Sequence, residues 1–141
     1  MNCPECGATD SLCKSRFDEC LALEFSDLRY GAVHNLTVCA YMLQHSSQLS
    51  RDGWLYERDL LREFIVDGKS PSVIRQQVKD SVDSGKRTFK FKSKDGMPLI
   101  QKSTYTKTIL DIRTDDAETY CADVTAWARS VLEDVKNLEL T

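Results

Sequence analysis

Three cysteines near the start of the chain have the spacing of metal ligands. Cys3 and Cys6 stand in a Cys-Pro-x-Cys-Gly motif, and Cys13 follows them. Two thiolates held on one tight turn that ends in glycine can bind a tetrahedral metal ion from the same side, which is a common half-site of structural zinc. The motif therefore predicts one zinc ion whose fourth ligand comes from elsewhere in the chain.

The fourth ligand has four candidates, which are Cys20, His34, Cys39 and His45. A helix that carries both histidines separates them by roughly 16 Å, so both cannot bind one ion. Buried free cysteine usually packs as a small apolar residue, which is the role we expect for Cys20 and Cys39. His34 is expected at the start of the second helix, where the chain turns back from the first helix toward the N-terminal loop. We predict that the zinc ligands are Cys3, Cys6, Cys13 and His34.

Four protein ligands would complete the shell of this zinc ion. Catalytic zinc needs an open position for water or substrate, so a complete shell indicates a structural ion. Metal binding would then be coupled to the folding of residues 1–14, which have little apolar content. We therefore predict a zinc-stabilised cytosolic binding or adaptor module, and favour this over an enzyme. Its partner would be a protein or small molecule of unknown identity.

Characteristic segments are spread along nearly the whole chain, at Cys3–Gly7, Cys13, Glu24–Asp27, His34–His45 and Trp127–Val131. Together they resemble a bacterial domain family of unknown function. The most specific part of the resemblance is a His-x-Leu-Thr-Val-x-Ala-Tyr-x-x-Gln-His block. The resemblance implies that Cys3, Cys6, Cys13 and His34 belong to the family pattern and that Cys20 and Cys39 do not. It implies no activity.

A small enzyme is the first alternative. Tyr41, Gln44 and His45 could line a polar pocket in which His45 is a general base, with Asp111 facing the same pocket. The simpler interpretation is that His45 caps the C-terminal end of its helix and Asp111 forms a turn. The chain has two histidines, one of them already assigned to the metal, so few residues remain for acid–base catalysis. No G-x-S-x-G, phosphate-binding loop or dinucleotide-binding motif is present.

A nucleic-acid contact through the basic segment Lys86–Lys94 is the second alternative. Residues 86–113 contain 8 Lys and Arg against 2 Asp and Glu, and Phe89 and Phe91 alternate with lysines. Such a strand could bind a phosphate backbone while its rings stack on bases. The same alternation is typical of an edge strand with a buried aromatic face, and the pI near 5.4 argues against general nucleic-acid affinity. We favour the edge-strand interpretation.

The elements that position these residues are mainly α-helical. We predict about five helices, a small β-hairpin or extended insertion and an N-terminal zinc-knuckle loop. Ser15–Asp18 has the pattern of a capping box that opens the first helix, and apolar spacing predicts a second helix over Tyr30–Ser47. A third helix is expected around Leu55–Ile65 and a fourth over Ser70–Gly85. Thr88–Lys92 alternates like a strand, and Tyr120, Val124, Trp127, Val131, Val135 and Leu138 should face inward from a final helix.

Length and composition are those of one soluble domain. We expect residues 1–141 to form a single unit with a metal-binding loop (1–14), a helical part (15–85), a basic extended or hairpin segment (86–113) and a C-terminal helix (114–141). No apolar run approaches the roughly 18–20 residues that span a bilayer, and no secretory signal is evident. The six cysteines are therefore expected to remain reduced in the cytoplasm, with no membrane contact.

Overall fold

The described part of the chain is helical. The structure, a computed structural model, describes residues 1–68, 76, 96, 98–99, 105–136 and 138. The prediction of a mainly helical fold is confirmed for these residues, which contain five α-helices and no strand. No helix among them is long and apolar enough to cross a bilayer. The helices are α1 (Cys13–Ser26), α2 (Leu28–Gly31), α3 (His34–Gln44), α4 (Arg51–Ile65) and α5 (Ala117–Val135).

Several predicted elements lie outside the described residues. These are the fourth helix over Ser70–Gly85, the alternating strand over Thr88–Lys92 and the hairpin built on it. Residues 105–113, which belong to the predicted basic extended segment, are described and contain a short 3-10 helix over Ile109–Asp111. Thr108 and Asp111 form a capping box around this turn. The C-terminal part of the predicted extended segment is therefore an irregular stretch with one helical turn.

The helix ends follow local capping chemistry, with one correction to the sequence prediction. Ser50 caps α4 by accepting a hydrogen bond from the Gly53 amide at 3.0 Å. Asp116 caps α5 in the same way. The capping box predicted at Ser15–Asp18 is wrong, because α1 already begins at Cys13 and the Ser15 hydroxyl donates to the Leu12 carbonyl. The knuckle thus runs into α1 with only a short 3-10 turn between them.

The second predicted helix is divided in the structure. The span Tyr30–Ser47 contains the end of α2, then α3, then a 3-10 turn over Ser46–Gln48. Gly31 ends α2 in close contact with α1, since a Cβ at this position would lie 2.6 Å from the Glu24 carbonyl oxygen. A residue without a side chain is therefore needed where the chain reverses between α1 and α3.

Helices α1 and α3 run antiparallel. The Phe17 ring, near the start of α1, stacks on the Tyr41 ring near the end of α3, with centroids 3.8 Å apart. At the other end, Glu24 of α1 accepts a hydrogen bond from Thr37 of α3. The N-terminal loop, which precedes α1, consequently lies at the C-terminal end of α3.

The core lies among α3, α4 and α5. The predicted inward face is confirmed for five residues of α5, which have no exposed surface: Tyr120, Val124, Trp127, Val131 and Val135. The sixth, Leu138, lies beyond the end of the helix and is partly buried. Leu43 of α3 and Trp54 of α4 are equally buried, and the Trp54 indole donates to the Leu43 carbonyl at 3.1 Å. Burial of each large apolar side chain stabilises the fold by about 1.5–3 kcal/mol. This core holds the C-terminal end of α3 in place beside the knuckle.

Candidate metal centre

Three thiols and one imidazole meet at the C-terminal end of α3. The ligand atoms of Cys3, Cys6, Cys13 and His45 all lie within 4.8 Å of one another, and all four residues are buried. Cys3 Sγ lies 3.8 Å from His45 Nε2. In a tetrahedral zinc site, ordinary Zn–S and Zn–N bond lengths place neighbouring ligand atoms about 3.5–3.8 Å apart. These four residues are therefore close enough to bind one metal ion.

The His45 ring is oriented with one nitrogen toward the cysteines. Its Nδ1 lies 2.7 Å from the Tyr41 carbonyl oxygen, which only accepts hydrogen bonds, so Nδ1 carries the proton. This tautomer leaves a lone pair on Nε2, which faces Cys3, as in metal-bound histidines. Burial lowers the pKa of His45, although the hydrogen bond to Tyr41 opposes this shift, and the ring is neutral at neutral pH. The Tyr41 ring also stacks on it, with centroids 4.0 Å apart.

The knuckle is held in shape by its own backbone and by one carboxylate. The Gly7 amide donates to the Cys3 carbonyl at 2.9 Å, and Gly7 has a φ of 83°, which favours glycine. The Glu5 carboxylate accepts from both the amide and the hydroxyl of Ser47, at 2.9 and 2.8 Å. Because Ser47 follows His45 by two residues, this contact joins the knuckle to the segment that carries the imidazole.

The three thiols differ in acidity. Burial raises the pKa of Cys6 and of Cys13, and the neighbouring charge of Cys3 raises both further. Burial also acts to raise the pKa of Cys3, but hydrogen bonds from the backbone of Cys6 and Glu5 and from the other two thiols outweigh it, so the net shift is downward. Cys3 is therefore the first thiol to ionise, and its proton is the easiest for a metal to displace.

Metal uptake should release protons in proportion to the thiols that must ionise. At pH 7.5 we expect about two to three protons per zinc ion, because two of the thiol pKa values are raised while His45 binds as a neutral ring. Zinc affinity should therefore fall as the pH falls. In the metal-free protein the pKa of His45 is lower than its value of about 6.5 in the unfolded chain. The contribution of the neutral, buried ring to folding stability is therefore complete above about pH 6.5 and is lost as the pH falls below that value.

Calorimetric titrations with zinc in buffers of different ionisation enthalpy give the number of protons directly. His45→Ala should release the same number, since the imidazole contributes none. Release of fewer than about one proton would contradict a site built from three thiols.

The structure corrects the predicted fourth ligand. His34, the first residue of α3, lies at the opposite end of that helix from the cysteines, and its Nδ1 is 2.7 Å from Glu24 Oε1. The prediction assumed that the turn after α1 returns the chain to the N-terminal loop. That turn lies at the far end of α1, so an antiparallel α3 reaches the loop only at its C-terminal end. The position predicted for His34, beside Cys3, Cys6 and Cys13, is occupied by His45.

The residues proposed for an enzyme pocket make ring and hydrogen-bond contacts within the fold. Tyr41 is buried between Phe17 and His45, and burial raises its pKa, so its hydroxyl keeps its proton. Gln44 bridges two parts of the core: its amide nitrogen donates to the Lys107 carbonyl at 2.7 Å, and its oxygen accepts from the Trp127 indole at 3.3 Å. The Asp111 side chain accepts from the Thr108 amide, as expected for a turn-forming aspartate.

The remaining cysteines lie apart from the cluster. The prediction that Cys20 and Cys39 pack in the core is confirmed, since they are 0% and 5% exposed. The Cys39 thiol donates to the Glu57 carboxylate at 2.8 Å, and burial raises the pKa of both groups.

The basic segment Lys86–Lys94 lies outside the described residues, so the nucleic-acid alternative stays a prediction.

Comparison with known proteins agrees with the resemblance seen in the sequence. A family model described as "Family of unknown function (DUF5946)" matches residues 1–136. No curated protein and no solved structure matches the chain. The match extends from the cysteine knuckle through α5, so it includes the four residues of the candidate metal centre. The chain therefore belongs to DUF5946, a family of unknown function.

Proposed function

We propose that this chain is a binding or adaptor module stabilised by one structural zinc ion at Cys3, Cys6, Cys13 and His45. One observation carries the proposal, which is the convergence of three buried thiols and one buried, correctly oriented imidazole on a single point. Three thiolates and an imidazole form a common tetrahedral zinc shell. Harder cations such as Mg²⁺ and Ca²⁺ prefer oxygen ligands.

A structural role follows from the completeness of this shell. Catalytic zinc usually has three protein ligands and an open position for water or substrate. Here four protein ligands are available, and the exposed fraction of each is at most 8%. A filled, buried shell leaves no position for a substrate, so the proposed ion holds the fold together and performs no chemistry.

The proposed zinc would join three parts of the chain. Cys3 and Cys6 lie in the knuckle, Cys13 is the first residue of α1, and His45 directly follows α3. Among residues 1–12 the buried apolar residues are Cys3, Cys6 and Ala8, so the loop buries little apolar surface beyond its cysteines. Metal binding is therefore coupled to folding of the first twelve residues and to docking of α1 on α3.

The binding role and the cellular location are parts of the same proposal. Zinc thiolate sites require reduced cysteines, so we place the protein in a reducing compartment such as the cytoplasm. A role in binding is supported by two large apolar side chains exposed at the turn between α1 and α2, since Phe25 is 75% and Leu28 is 90% exposed. These residues lie at the end of α1 opposite the proposed zinc.

Elemental analysis tests the metal assignment. Protein purified without chelator should contain about one zinc ion per chain, and cobalt substitution should give the visible absorption of a tetrahedral thiolate site. Cys20→Ala, which removes a cysteine outside the cluster, is the matched control and should retain the metal. Cys6→Ser should lose it. Metal-free protein with full helical content and stability, or zinc retained at full affinity by Cys6→Ser, would contradict the proposal.

A further inference from the structure

A carboxylate is buried at the end of α1 opposite the cysteines. The Glu24 side chain has no exposed surface, and its carboxylate contacts three polar groups. Oε2 accepts hydrogen bonds from the Thr37 hydroxyl at 2.6 Å and from the Tyr120 hydroxyl. Oε1 lies 2.7 Å from His34 Nδ1. Burial raises the pKa of Tyr120, and the Glu24 charge raises it further, so this hydroxyl remains a donor.

This carboxylate orients the His34 ring. Nδ1 of the ring faces Glu24 Oε1, so Nε2 is the ring nitrogen left for another hydrogen-bond partner. The His34 side chain is 31% exposed. Among the described residues, Nε2 has no hydrogen-bond partner. His45 has the same arrangement, with Nδ1 held by an acceptor and Nε2 presented to a site.

The oriented ring borders an open cleft with apolar walls. The cleft has a volume of about 410 Å³, which lies in the range of small-molecule sites. The Phe25 ring lies beside the imidazole, with centroids 5.1 Å apart. Gly31 lets α2 approach the Glu24 backbone closely at this point. The cleft is lined by Glu24, Phe25, Leu28, Gly31, Ala32 and His34.

We propose that this cleft is a ligand site for a small molecule that combines an aromatic or other apolar group with a hydroxyl donor. The apolar group packs on Phe25 and Leu28, and the hydroxyl donates a hydrogen bond to His34 Nε2. Glu24 is a positioning residue, because it sets the tautomer and orientation of the imidazole without contacting the ligand's hydroxyl. The site is independent of the proposed zinc, which lies at the other end of α1 and α3.

A purely structural role for His34 accounts for less of this geometry. Glu24 already accepts hydrogen bonds from Thr37 and Tyr120, both fully buried. The bond to His34 uses Nδ1 and leaves Nε2, on the other edge of the ring, outside this network, and His34 is one of the residues that line the cleft. A metal ion is a poor occupant, because His34 is the only cleft residue with an uncommitted ligand atom among those that the structure describes. An organic hydrogen-bond donor fits both the acceptor and the apolar walls.

Two probe compounds test the proposal on the full zinc-loaded chain. The first, 4-methylphenol, has a weakly acidic hydroxyl that remains a donor at neutral pH, and the second, 4-methylanisole, has a methoxy group in its place. NMR titration should place both in the cleft, with shifts at Phe25 and Leu28, and the phenol should bind about tenfold more tightly because it gains one hydrogen bond. The imidazole ¹⁵N shifts should show the proton of His34 on Nδ1, and Glu24→Gln should change this tautomer distribution.

The matched variant is His34→Asn. The asparagine amide can still donate to Glu24, but it has no counterpart of Nε2, so the preference for the phenol should vanish while affinity for the anisole is kept. Phe25 and Leu28 are 75% and 90% exposed, so Phe25→Ala and Leu28→Ala should keep the fold and weaken both compounds equally. Equal affinity of the native protein for the two probes, no binding of either, a preference that survives His34→Asn, or a proton found on Nε2 would each overturn the proposal.

Discussion

Replacing His45 by alanine should lower the zinc affinity of this protein by at least about 100-fold. Loss of a group that merely orients a metal ligand lowers metal affinity by about 10–100-fold, and loss of the ligand itself lowers it further. The thermal unfolding temperature of the zinc-loaded protein should fall with it, because metal affinity and folding are coupled. Competition with a chromophoric chelator measures the affinity, and circular dichroism measures the unfolding.

The two histidines provide a matched pair for this experiment. His34→Ala removes the other imidazole of the chain, at the opposite end of α3, and should leave zinc affinity unchanged. His45→Cys restores a fourth ligand and should recover most of the affinity as a four-cysteine site. If His34→Ala weakened zinc binding as much as His45→Ala does, the ligand assignment drawn from this structure would be wrong.

Replacing Trp127 by alanine should lower the free energy of unfolding by about 3–5 kcal/mol. The Trp127 side chain is fully buried, and its indole donates to Gln44, which in turn donates to the Lys107 carbonyl. The alanine variant therefore leaves a large cavity and also an unpaired oxygen on Gln44, which is 2% exposed. Urea unfolding at a fixed zinc concentration measures the loss.

Trp127→Phe separates the two contributions. Phenylalanine keeps much of the apolar volume but has no hydrogen-bond donor, so this variant should lose less stability than the alanine variant. The same experiment examines the role of Gln44, which the structure places in the core and not in an enzyme pocket. A loss of less than about 1.5 kcal/mol for Trp127→Ala would contradict a fully packed core at this position.

The candidate metal centre and the candidate ligand cleft lie at opposite ends of one helix pair. Helix α1 has 14 residues, which corresponds to about 21 Å along its axis. Cys13 begins this helix beside the cluster, and Glu24 lies near its other end beside the cleft. Loss of the proposed zinc ligand His45 and loss of the cleft residue His34 are consequently expected to affect different measurements.

Local patterns in the sequence predicted the features that depend on neighbouring residues. The Cys-x-x-Cys-Gly knuckle follows from backbone geometry over a few positions, and it contributes Cys3 and Cys6 to the cluster. The inward face of α5 follows from apolar residues that recur at helical spacing, and Tyr120, Val124 and Trp127 are fully buried. In both cases the residues that act together are close in sequence.

The choice between His34 and His45 as the fourth ligand depends on how the helices pack. Both histidines belong to the same predicted helix, one near each end, so apolar periodicity does not show which end meets the cysteines. The distinction depends on which end of α3 meets the start of α1. The rule that consecutive helices joined by a short turn pack antiparallel would have favoured His45, because it places the end of the second helix beside the start of the first.

The sequence predicted a metal half-site in the knuckle, a mainly helical fold, and Cys20 and Cys39 as core residues. The tertiary structure brings His45 to the cysteines and joins Glu24, His34 and Tyr120 in one network, although Glu24 and Tyr120 are separated by 96 positions. The physical reason is that a thiol or carboxylate acts through distances of about 3–4 Å. Such distances between remote positions arise from how whole helices pack, which no local pattern specifies.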